Sequence, residues 1–133
     1  MAKARLFVSV PMKDRTSADI RESIKRLQYY AETVWDREFE VVSAYSNSEV
    51  PTDDVSKYPV FHLGNAIKLM STCDYFIGVE YDFLYSGCNV ERTVACEYGY
   101  KMLTVPIQYI MRPVEWAKHE KLLNEELTRR AGC

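Results

Sequence analysis

The chain lacks an excess of basic charge: 17 Lys and Arg stand against 19 Asp and Glu, for a formal net charge of −2. With no basic field to hold a phosphate backbone, a nucleic acid duplex is not an expected partner. No apolar run approaches the roughly 20 residues that a bilayer-spanning helix needs, and no charged-then-apolar leader opens the sequence, so the expectation is a cytoplasmic protein with no membrane partner. CxxC spacing is also missing. Cys73, Cys88, Cys96 and Cys133, with only His62 and His119 to join them, form no zinc pattern, and no metal is expected. The cysteines read as free thiols, Cys73 and Cys96 as small core fillers. Cys88 falls at a helix N-terminus, where a small turn residue and a reactive thiolate are the two readings. Neither GxGxxG nor GxxxxGK[ST] occurs, which removes the dinucleotide and Walker phosphate loops and leaves no cofactor implied. Neither histidine lies in a motif that marks a base for a Ser or Tyr nucleophile.

What is present is a regular alternation of short apolar runs and amphipathic stretches across one domain, residues 1–133. At this length a chain buries a sizeable core without staples. Arg5 to Val10 is a β-branched and aromatic first strand bounded by Pro11. Thr16 is an N-cap with Asp19 at N3, and Ile20, Ile24, Leu27, Ala31 and Val34 form the buried stripe of a helix from about Ser17 to Arg37. Phe39 to Ser43 is a second strand, followed by a long polar loop from Tyr45 to Lys57. A second helix spans Pro59 to Thr72 on Leu63, Ala66, Ile67 and Met70. Tyr75 to Val79 is almost uninterruptedly apolar, as a strand covered on both faces should be. The third helix spans Asn89 to Met102 with Val90, Val94, Ala95, Tyr98 and Met102 inward, and Leu103 to Tyr109 is a fourth strand. A last helix, about 113–130, has a less regular apolar face and is expected to pack on the sheet or on a neighbouring subunit.

This order predicts an α/β fold: a Rossmann-like three-layer sandwich with a mainly parallel sheet of four to five strands, order 2-1-3-4, and helices on both faces. The switch point then lies between strands one and three, so Ser9 to Met12 and Val79 to Gly87 face one crevice. Glu91 enters just beyond it, in what reads as the first turn of the third helix. A carboxylate there either offsets the helix dipole or serves as a nucleophile toward an anomeric carbon.

The run Gly87-Cys88-Asn89-Val90-Glu91, with Ala95 and Gly99 following at four-residue spacing, resembles the G-T-x-x-E-x-x-x-A-x-x-x-G segment of the nucleoside 2-deoxyribosyltransferase-like superfamily, which includes the deoxynucleoside monophosphate N-glycosidases. Phe7 to Met12 is similar to that superfamily's strand-then-Gly/Ser-x-Pro opening, and Cys73 to Val79 to its Ala-Asp-x-x-apolar segment; the likeness is closer still to a phage-enriched branch. The resemblance covers most of residues 5–107. It implies cleavage or exchange of a nucleoside base, with Glu91 as nucleophile and sites near the interfaces of a homo-oligomer. Ser9, Val10, Pro11, Met12, Asp82, Tyr85, Ser86, Gly87 and Cys88 are the implied substrate-binding residues, and a nucleoside or its 5′-monophosphate the implied ligand, with Lys13 and Arg15 candidates for the phosphate. Two departures stand out: Tyr85 occupies the position where the transferases carry an aspartate for the base, and Cys88 replaces their threonine. Asp82 and Glu80 are the possible stand-ins for that acid. Hydrolase, transferase and non-catalytic nucleotide-binding module remain alternatives.

Overall fold

A computed structural model describes residues 3–47, 59–80 and 84–132. Strand β1 (Ala4–Val8) alternates as period-two geometry demands: Leu6 and Val8 enter one apolar cluster and Phe7 the other. It sits centrally, parallel to β2 (Phe39–Val42) and to β3 (Tyr75–Val79), and β3 pairs in parallel with β4 (Lys101–Val105). The order is β2-β1-β3-β4, as the alternation of elements predicts.

Helix α1 (Ser17–Trp35) packs Ile20, Leu27 and Ala31 against Leu6, Val8 and Ile77, and Trp116 of α4 (Pro113–Ala131) joins the same cluster. On the other face, α2 (Pro59–Met70) and α3 (Ser86–Glu97) bring Ala66, Met70 and Ala95 onto Phe7 and Phe76. The protein is therefore an α/β sandwich of the Rossmann-like kind, with a four-stranded all-parallel sheet. Each of the large side chains that it buries completely, Phe7, Phe76, Leu6 and Leu27 among them, contributes about 1.5–3 kcal/mol. Thr16 caps α1 as expected, its hydroxyl accepting from the Asp19 amide at 3.1 Å. Among the described residues no helix is long and apolar enough to cross a membrane.

Several expectations need correction. α3 begins at Ser86, three residues before the expected start, so Ser86 and Gly87 are its first residues and not a preceding turn; it ends at Glu97, and Met102 belongs to β4. Its inward stripe is Cys88, Glu91 and Ala95, while Val90 and Tyr98 are exposed. Cys96, one residue and about 100° beyond Ala95, is exposed as well and fills no core. β4 starts at Lys101 and stops at Val105, because Pro106 has no amide to continue the ladder; Ile107–Ile110 is a 3₁₀ turn. Val34 is exposed on the last turn of α1. In the loop after β2, Ala44–Asn47 forms a 3₁₀ turn, and the rest of that loop lies outside the described residues.

Candidate functional site

The carboxyl ends of β1 and β3 meet where the strand order reverses. Ser9 extends the ladder past β1 by donating its amide to the Ile77 carbonyl at 2.9 Å, which fixes its Cα against β3. Its side chain, 2% exposed, donates Oγ–H to Glu91 Oε1 at 2.7 Å. Glu91 is 7% exposed, so the pair lies just beneath the surface at the end of the sheet where the strand order reverses. A bond of this length holds one carboxyl oxygen in place. The hydroxyl proton is spent in doing so, and Ser9 keeps only acceptor capacity toward any other group. Glu91 is the sixth residue of α3, one turn further in than the sequence suggests. The dipole acts mainly within the first turn, so the Ser9 hydroxyl does more than the helix end to orient this carboxylate.

The expected substrate-binding residues divide into three groups. Val10 and Pro11 are buried and form wall, and Met12 is half-buried against the same core. Ser86 and Gly87 are exposed at the start of α3; its N-cap residue, Tyr85, makes no side-chain capping bond. The leading amides of α3 therefore receive no acceptor from their N-cap side chain, and among the described residues nothing outside the helix's own adjoining backbone lies within 4 Å of the point where a Cβ on Gly87 would project. Cys88 is buried on the same face as Glu91. Asp82 lies outside the described residues, and Glu80 is exposed with its amide tied to the Val105 carbonyl.

Tyr85 sits about 9 Å along the helix axis from Glu91. Its hydroxyl lies 3.1 Å from His119 Nδ1, with the two rings within 4° of parallel and 5.7 Å apart, and Trp116 stacks on the imidazole at 5.7 Å. Burial raises the Tyr85 phenol above its ordinary range and pushes the His119 imidazole below its own, so both are neutral near pH 7. No sequence motif marks His119. Its signal was the spacing Trp116, His119, Leu123, which is one face of α4. Because the fold lowers the imidazole pKa, the folded state loses stability relative to the unfolded chain as pH falls below about 6.5, where unfolded histidine takes up its proton. Melting midpoints between pH 7 and pH 5 should fall more steeply for the wild type than for His119→Phe, which keeps the stack and removes the nitrogens; parallel slopes would refute this.

Arg15, a phosphate candidate on sequence grounds, is not available for a ligand. Its side chain is 3% exposed and paired with Glu115 at 2.6 Å, with further bonds to the Pro11 carbonyl at 2.9 Å and Ser23 Oγ at 2.7 Å. Arg112 makes a second clasp on the same side, donating twice to Asp19 at 2.8 Å, and this bond holds the Asp19 carboxyl below its usual range. Lys13 stays exposed. Cys73 is buried as expected, and desolvation raises its thiol pKa, which makes it a poor nucleophile. Among the described residues no group of three or more metal-ligating side chains converges. No family model, curated protein or solved structure matches this chain.

Proposed function

We propose that the protein cleaves the N-glycosidic bond of a nucleoside or nucleoside 5′-monophosphate, or exchanges its base, through Glu91. The observation that carries this reading is the 2.7 Å Ser9–Glu91 bond at the switch-point crevice, which holds a buried carboxylate where an α/β sheet of this order takes its ligand. In the reaction a Glu91 oxygen bonds to C1′ while the C1′–N bond breaks and the base departs with that electron pair, taking up a proton. Water, or a second base, then attacks C1′ and frees the carboxylate. The leading amides at Ser86 and Gly87, which the Tyr85 side chain does not cap, suit a sugar hydroxyl or phosphate oxygen. A cytoplasmic homo-oligomer belongs to the same reading.

A second reading, a nucleotide-binding module without turnover, draws on the Tyr85–His119 contact: the residue standing where the transferases keep an aspartate is already engaged by α4. Incubating the protein with deoxynucleosides and their monophosphates, while following heat of binding and free base by chromatography, separates the two. Base release that Glu91→Ala abolishes supports the first reading; binding without release supports the second. Ser9→Ala should lower turnover by roughly 10- to 100-fold with little change in KM, since a hydrogen bond to a charged group contributes about 1.5–3 kcal/mol. An unchanged kcat in that variant would mean that the hydroxyl does not orient the nucleophile.

A further inference from the structure

At the end of the sheet opposite Glu91, the amino ends of β3 and β4 border a cavity of about 480 Å³, a volume typical of small-molecule sites. Arg37, which follows the left-handed residue Asp36 at the end of α1, donates from one guanidinium nitrogen to Tyr75 Oη at 2.8 Å. Lys101 donates from Nζ to the same oxygen at 3.4 Å. Both cations also lie against the Tyr75 ring, at 5.3 and 5.0 Å from its centroid. Among the described residues neither is within 4.0 Å of a carboxylate. Two like charges are thus gathered on one phenol oxygen, where an oxyanion would relieve their repulsion and accept from both.

The rest of the lining adds a flat surface. Gly99, at φ +70, turns the chain sharply between α3 and β4, and Tyr98 and Lys101 on either side of the turn both line the cavity. Tyr98 is 79% exposed, which leaves the face of its ring uncovered. The neighbouring Tyr100 hydroxyl is committed to the Met70 carbonyl at 2.6 Å. Asp74 contributes one carboxylate against the two cations, so the lining keeps a positive balance and gains an acceptor for a sugar hydroxyl.

We infer that this cavity is a second binding site, taking a small phosphate-bearing molecule with a flat ring, of the nucleoside monophosphate class: Arg37 and Lys101 hold the phosphate, and Tyr98 covers the ring. The five residues of β3 separate it by about 15 Å from Ser9 and Glu91, so it stands apart from any chemistry there. The test is an NMR titration of the full chain with adenosine monophosphate and with inorganic phosphate. The amides of Gly99, Tyr100 and Lys101 should shift and saturate, with the monophosphate binding more tightly than phosphate. Arg37→Gln and Lys101→Gln should each weaken the monophosphate about tenfold or more. Tyr98→Ala should reduce it to the level of phosphate, and Glu91→Ala should leave it unchanged, which keeps this site's outcome separate from that of the crevice. Both cations are surface groups, and far-UV circular dichroism checks that the variants fold. Shifts that stay linear with concentration, saturating shifts confined to Ser86–Glu91, or unchanged affinity in both charge variants would overturn the inference.

Discussion

Glu91→Gln is expected to lower base release by about 10⁴-fold or more while leaving the melting temperature at or above that of the wild type. The first half follows from removing the attacking oxygen, because losing a covalent nucleophile leaves only what binding and positioning supply. The second half follows from burial. Glu91 is 7% exposed, and keeping a carboxylate there costs solvation that a neutral amide of the same shape does not incur. The glutamine carbonyl, of the same shape, can still accept from Ser9. A residue kept for structure would show the opposite pattern. Turnover near the wild-type rate combined with a melting temperature several degrees lower would place Glu91 among the structural groups and remove the proposed chemistry.

Arg15→Met should have the largest effect on stability, about 3–5 kcal/mol, because it strands the Glu115 carboxylate in a site that is almost closed to water. Domains of this kind are stable by about 5–15 kcal/mol, so the loss is about a fifth of the total or more, and the melting midpoint should fall by roughly 10–20 °C. The guanidinium also ties the Pro11 and Ile110 carbonyls and Ser23, three backbone or hydroxyl groups from different segments. Replacing both partners, as Arg15→Met with Glu115→Met, should recover part of the loss, since the buried charge goes with its counter-charge. Thermal melts of the two single variants and the double variant measure the coupling; a single-variant loss below about 1 kcal/mol would mean that the pair is solvated and weak.

The parallel sheet and its order were legible because they rest on local signals: apolar runs at Phe7, Phe39 and Tyr75, and crossovers long enough to hold a helix. The start of α3 was not. Ser86 and Gly87 carry turn chemistry, and no capping side chain precedes them to mark a helix. The pairing of Ser9 with Glu91 joins residues 82 apart, and Arg15 with Glu115 residues 100 apart, and no periodicity encodes such distances. A buried arginine looks like a solvated one until its partner is known, which is why Arg15 read as a phosphate ligand. His119 was hidden differently: α4 buries only His119 and Leu123 outright, leaving Val114, Leu122 and Leu127 exposed, so its inward face does not match its most hydrophobic positions.

The clasp between the β1–α1 loop and α4 also sets a timetable. During synthesis at 5–20 residues per second, Arg15 leaves the ribosome about 5–20 s before Glu115 does, and Tyr85 precedes His119 by a shorter interval. Until then the loop that carries Ser9 has its strand ladder but not its anchor. The nascent chain can therefore assemble its sheet early, and acquires a fixed crevice only when its last helix arrives.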